Sequence, residues 1–218
     1  MESKRTIRVT GTGKLKIKPD TTRITLTLED VCPQYSDALK NSSESTAALT
    51  KTLSMFGFSE KDLKTLNFDI DSEYESYQER GVYKKRLVGF RFSHMLKIEF
   101  PLDNERLGKI LYSLANCSVH PEISISYTVS DPEAEKNMLL EKAVTDAVSK
   151  AEVLAKAANV SLLSIQGIDY SWGELDLEVR PMNRLMTVAD AAPSSYDMNL
   201  EPDDIDVSDT VTVIWEIH

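Results

Sequence analysis

Along residues 6–18 apolar and polar positions alternate strictly. Ile7, Val9, Gly11, Gly13, Leu15 and Ile17 share one face, and Arg8, Thr10, Thr12, Lys14 and Lys16 the other, the period of a half-buried strand. Pro19-Asp20 predicts a turn, and Ile24, Leu26 and Leu28 point inward on the strand after it, so these two strands are expected to form a hairpin with one wet face. From Tyr35 the period becomes helical, through Ala38, Leu39, Ser42, Thr46, Leu49, Leu53 and Phe56, until Gly57 stops it. The many Ser and Thr residues of this helix read as its solvated face.

Alternation returns at Leu66, Phe68 and Ile70 and continues weakly through Tyr74. Glu79-Arg80-Gly81 turns the chain, and the return strand carries Val88, Phe90, Phe92, His94, Leu96, Ile98 and Phe100 on one face. The outer part, residues 73–86, is polar and aromatic, so the hairpin is expected to project from the body, with Tyr74, Tyr77 and Tyr83 as interaction candidates. Asp103 caps a short helix with Leu107, Ile110, Leu111 and Leu114 inward, and Ile123, Ile125, Tyr127 and Val129 make another strand.

The longest periodic segment follows. Asp131 is a good N-cap, Pro132 suits the first helical position, and Glu133 favours the positive helix end. Alanines recur almost once per turn at Ala143, Ala147, Ala151, Ala155 and Ala158, with Leu140, Val144, Val148 and Leu154 widening the stripe. Such a ridge lets a helix lie close to a sheet. Asn159 can take the left-handed position that ends it, giving an Ala-rich helix at about 132–158. A strand follows at once. Leu163 and Ile165 share one parity and Ile168, Tyr170 and Trp172 the other, which predicts a bulge at Gly167 that keeps both sets buried. Residues 173–205 hold no firm period. The chain closes on Val207, Val211, Val213, Trp215 and Ile217, a strand expected to pair with the one ending at Trp172.

This order predicts an α+β fold with mainly antiparallel sheets built from hairpins and helices packed on one face. A single domain over residues 1–218 is expected. The alternative sub-division is 1–72 plus 87–130, and 131–218. Gly11-Thr12-Gly13 lies inside a strand pattern with no helix start behind it, so a bulge or a close backbone contact accounts for it better than a phosphate loop.

A net charge of -10 over 218 residues argues against general nucleic-acid binding. No apolar run is long enough to span a bilayer. Residues 1–5 run straight into a strand without the pattern of a signal peptide, so the chain as written reads as cytoplasmic, or as an envelope protein if a leader was removed. Cys32 and Cys117 have no metal-ligand spacing and read as separate thiols, with a disulfide between them left open.

Candidate chemistry is sparse. His94 holds a core-facing parity between Phe92 and Leu96, His120 precedes Pro121 in a turn, and His218 ends the chain. No zinc-protease, nucleophile-elbow, P-loop or dinucleotide fingerprint is present. Asp203, Asp204, Asp206 and Asp209 are the weak metal candidates, without EF-hand spacing. Glu73, Glu75 and Glu79 are weaker still. Trp172 and Trp215 are expected to be neighbours across a strand pair, as packing or interface residues. No catalytic residue and no cofactor is assigned.

Four features together resemble the SIMPL domain family, also called DUF541. They are Ile7-x-Val9-x-Gly11-x-Gly13 followed by Pro19-Asp20, Val129-x-Asp131-Pro132 opening an alanine-rich helix, the Ile165-x-x-Ile168 strand, and the closing strand at 207–217. The resemblance covers about residues 6–217. The chain departs from the family in having Asn159 at the helix end, where a glycine is usual, and in lacking the export signal common among bacterial relatives. The resemblance implies an α+β protein without established enzymatic activity. Some relatives form ring-like assemblies, and others are linked to stress responses or signalling. The expectation is therefore a non-enzymatic homo-oligomer that acts through contacts with a protein partner still to be identified. A small-molecule or divalent-metal binding module, using residues 173–205 and the Asp203–Asp209 acids, is the first alternative. A hydrolase with a site assembled around His94 or His120 is the second.

Overall fold

The computed structural model describes residues 5–170, 175–180 and 200–218. Its elements are β1 (Thr6–Ile17), β2 (Thr21–Cys32), α1 (Tyr35–Ser54), β3 (Lys64–Glu79), β4 (Val82–Pro101), α2 (Asn104–Ala115), β5 (Glu122–Thr128), α3 (Pro132–Ala157), β6 (Leu162–Asp169) and β7 (Ile205–Ile217). The fold is α+β, as expected. The contacts gather into two compact units, Met1–Asp20 with Thr128–Val179 and Asp203–His218, and Thr21–Tyr127 with Arg180–Pro202.

The first unit is a three-stranded sheet in the order β1-β7-β6 with α3 on one face. Both pairings are antiparallel. Asp131 caps α3, its carboxylate accepting from the Ala134 N–H at 3.0 Å. At the other end Asn159 adopts φ 53°. There the Val160 N–H donates to the Ala155 carbonyl at 3.0 Å and the Asn159 N–H to Lys156 at 3.3 Å, so a Schellman turn closes with asparagine in place of glycine. Ala143, Ala147 and Ala151 are fully buried against Val9, Val211, Val213 and Trp215.

Gly11 and Gly13 are where α3 touches the sheet. A Cβ on Gly11 would lie 2.0 Å from the Ala143 carbonyl oxygen, and one on Gly13 2.2 Å from that of Leu139. The glycine pair is the close backbone contact, without a bulge in the β1–β7 register. The Thr12 N–H between them donates to Asp146 on α3 at 2.7 Å, and Asp146 pairs with Lys150 at 2.6 Å. Hydrogen bonds from Lys150 and then from Thr12 hold the Asp146 carboxyl below its ordinary range. A second small cluster joins Ile17, Val129, Leu177 and Ile205.

The expected β1–β2 hairpin does not form. β1 pairs along its whole length with β7, and β2 pairs with β4 in the other sheet. Both strands present an apolar row, but the rows enter different cores.

The second unit is a four-stranded sheet in the order β3-β4-β2-β5, with α1 and α2 contributing to its core. Ile24 pairs with Ile98 and Leu26 with Leu96 in the β2–β4 ladder, and all four lose all but about a hundredth of their surface, as do Leu53, Ile110 and Leu114 of the helices. Asp103 caps α2, accepting from the Arg106 N–H at 2.9 Å. Arg80 and Gly81, with φ 52° and 81°, make the tight turn between β3 and β4, as a two-residue hairpin with primed geometry requires.

The predicted bulge in β6 falls where expected, a register shift lying between Ile165 and Gly167. Its reason was different. Leu163, Ile165 and Ile168 are about half exposed, so the slip does not bury both sets.

Candidate functional site

In the second unit a groove of about 880 Å³ lies between α1 and β3, floored by His94 and Leu96 of β4. It lies where α1, packed over β2 and β4, gives way to the outer strand β3 beyond β4. Phe68 on β3 is paired across from His94, so the two share a face, and their rings meet edge-on at 5.0 Å.

The Ser and Thr row of α1 is not simply its wet face. Ser42 is buried, and Thr46 and Thr50 are half-buried on the groove side. Each threonine meets its own cost of burial: Thr46 Oγ1 donates to the Ser42 carbonyl at 2.8 Å and Thr50 Oγ1 to that of Thr46 at 2.9 Å, the back-bonding that lets short hydroxyl side chains sit within a helix.

These donations order the protons around His94. Nδ1 lies 3.2 Å from Ser42 Oγ and 3.2 Å from Thr46 Oγ1. Because the Thr46 proton is committed to the helix carbonyl, its oxygen can only accept from the ring, which places the proton on Nδ1. Nε2 then offers a lone pair to the Thr65 hydroxyl, 3.0 Å away. Burial holds the imidazole below its ordinary 6.5, and the hydrogen-bond partners are hydroxyls rather than carboxylates, so the neutral ring is favoured. In this tautomer Nδ1 cannot take the Ser42 proton. Thr65 meets the basic nitrogen, but the far side of the ring rests on neutral oxygens rather than on the acid of a catalytic triad.

Other sequence candidates are scattered. His120 is exposed. Tyr74, Tyr77 and Tyr83 all lie exposed on the β3–β4 arm. The arm's acids are taken up by bases: Glu73 by Arg91 at 3.0 Å, Glu75 by Arg86, and Glu79 by Lys84 at 2.5 Å. Trp215 is buried beneath α3, whereas Trp172 lies outside the described residues.

Asp203 accepts from the Asp204 N–H, Asp204 faces Lys16 at 3.9 Å, and Asp209 accepts from the Tyr170 hydroxyl at 2.9 Å. Asp206 pairs in register with Lys16. Among the described residues no three His, Cys, Asp or Glu side chains come together as metal ligands. Cys32 and Cys117 are free thiols, Cys32 buried and Cys117 half-buried. No helix among the described residues is long and apolar enough to cross a membrane.

Comparison with known proteins extends over nearly the whole chain. The family model for SIMPL, described as a protein of unknown function (DUF541), matches residues 7–215. The chain is 24% identical over 212 residues to the uncharacterized protein YggE of Escherichia coli K12, spanning 97% of this chain and 83% of that protein. It is 25% identical over 194 residues to the 26 kDa periplasmic immunogenic protein of Brucella abortus strain S19, spanning 87% of this chain and 76% of that protein. YggE of Edwardsiella ictaluri is 23% identical over 208 residues, 95% of this chain and 84% of that one.

Proposed function

This chain belongs to the SIMPL family, and from that premise we propose that it is a non-enzymatic protein that associates with copies of itself and acts through contacts with other proteins. The observation that carries the proposal is the open side of β6. This strand ends its sheet, so one row of its backbone N–H and C=O groups has no strand beside it among the described residues. Ile165 pairs with Trp215 and Ile168 with Val213, so both face the side that α3 covers. The glycines of β1 draw α3 over β1 and β7. Ile165 and Ile168 are left 50% and 54% exposed.

Soluble proteins ordinarily blunt an edge with charge, proline, bulges or cover, and β6 carries two register shifts but neither proline nor, at Ile165 and Ile168, charge. An edge that, among the described residues, keeps part of its backbone and two isoleucines open is suited to a strand of a second copy. The proton order around His94 supports the non-enzymatic part, since it gives Ser42 no base.

Size exclusion with light scattering tests the assembly on the full chain. A mass of two or more chains is expected, and a clean monomer at high micromolar concentration overturns it.

A further inference from the structure

The two end strands of the first sheet, β1 and β6, are treated differently. The edge of β1 is occupied by side chains of α3. The Thr12 N–H donates to Asp146 at 2.7 Å, and Lys150, one turn further on, donates to the Thr10 carbonyl at 3.4 Å. Alternate residues of an end strand turn both backbone groups outward, so the two side chains supply an acceptor and a donor where a neighbouring strand would. They hold each other at 2.6 Å. They meet β1 in its uncharged stretch, between Arg8 and Lys14. Without them this stretch would be adhesive, since Val153 and Leu154 of α3 stand 69% and 48% exposed around a notch beside Val9. On β6, among the described residues, the only side chain that reaches the backbone is its own Gln166, 3.5 Å from the Ser164 carbonyl.

The end strands of the second sheet are blunted in other ways. β3 carries Asp69, Asp71, Glu73, Glu75 and Glu79, and β5 is only seven residues long. β6 is interrupted by its register shifts but carries a single charged residue, Asp169.

Resting on the self-association proposed above, we infer that the Asp146–Lys150 pair closes β1 to strand addition, so that the chain joins a second copy through β6 alone, β6 against β6 about a two-fold axis, and stops at two. With one usable edge per copy the contact is self-complementary. An axis perpendicular to the sheet makes the two β6 strands antiparallel and keeps both α3 helices on one face. Ile165 and Ile168 of each copy, half exposed where α3 lies mainly on β1 and β7, then meet in the trough between the helices. Copies with β1 and β6 both open would add head to tail, a contact that closes on itself only as a ring.

The test compares the full chain with the double variant Asp146→Ala/Lys150→Ala and with Asp146→Asn, whose amide oxygen still accepts from Thr12. Light scattering after size exclusion is run at low and at high micromolar concentration. The native chain and Asp146→Asn are expected at a mass of two chains. The double variant is expected to rise with concentration to at least twice that mass. A native mass above two chains, a double variant that stays at two, or growth of Asp146→Asn overturns the inference and leaves self-association standing. A single native chain removes the self-association reading, and this inference with it. Should the double variant not fold, amide hydrogen exchange decides, compared between the native chain and one carrying Ile165→Lys with Ile168→Lys. The Thr12 amide is expected to exchange equally slowly in both, being held within one chain, and the amides of residues 162–169 at least tenfold faster in the lysine variant. A Thr12 amide that speeds with them, or β6 amides that do not change, overturns the inference.

Discussion

Gly11 on β1 lies against the carbonyl of Ala143 on α3 so closely that one added carbon would stand 2.0 Å from the oxygen and 2.4 Å from the Ala147 nitrogen. The obstacle is backbone on both counts, so no side chain can turn aside. Gly11→Ala is expected to lower the stability of the chain by at least about 2 kcal/mol in urea denaturation, through overpacking. Gly167 is the control. A Cβ there meets nothing nearer than Ile214 Cδ1 at 3.8 Å, so Gly167→Ala should leave stability unchanged or raise it by up to about 1 kcal/mol. Equal losses at the two positions would remove the close contact from the account of this fold.

His94 carries a pH dependence of known sign. Burial lowers its native value below the ordinary 6.5, so between those two values the unfolded chain binds more protons than the native one. Stability is then fully present above about pH 6.5 and declines as the pH falls toward the lowered native value. Urea midpoints at pH 7.5 and 5.5 should differ more for the native chain than for His94→Gln. A difference of equal size in both would assign the effect to other groups.

Arg106 lies with its guanidinium carbon 4.7 Å from the ring centre of Phe58 and 5.1 Å from that of Phe100, while donating to the Phe56 carbonyl at 2.9 Å. A lysine keeps the charge but not the planar fork. Arg106→Lys should cost about 1 kcal/mol, read as a lower melting midpoint. An unchanged midpoint would show that charge alone suffices there.

On β6, replacing Ile165 and Ile168 together with lysine places two charges on the open edge. Both side chains are half exposed, so the subunit should stay folded while its mass in light scattering falls to that of a single chain. Retention of the native mass would move the proposed contact away from β6.

Much of the chain was legible from local signals. Asp131 and Asp103 cap the helices they were expected to cap, Asn159 takes the left-handed conformation, and Arg80-Gly81 turns the hairpin. Each is settled within about four residues by backbone groups that need a partner or by a φ that few residues tolerate. The alanine ridge was legible for a similar reason, since only small side chains allow so close an approach.

The groove was not legible, although a trace of it was present. Ser42, Thr46 and Thr50 recur every fourth residue along one helical row, and His94 sits at a core-facing parity. Hydroxyls read as solvent-facing because their own cost of burial is ordinarily met by water. Here the helix carbonyls meet it, and which strand lies beneath decides whether the row is wet.

The sequence by itself determined where strands and helices begin and end and which side of each is apolar, because periodicity and caps act over a few residues. Only the tertiary structure decided that β1 pairs with β7 rather than β2, that α3 lies mainly on β1 and β7 and α1 on β2 and β4, and that β6 and β3 end their sheets with no strand beyond them among the described residues. Alternation marks a side to be buried without saying against what. That choice is made by shape complementarity between distant segments, as where two glycines in β1 admit the backbone of α3.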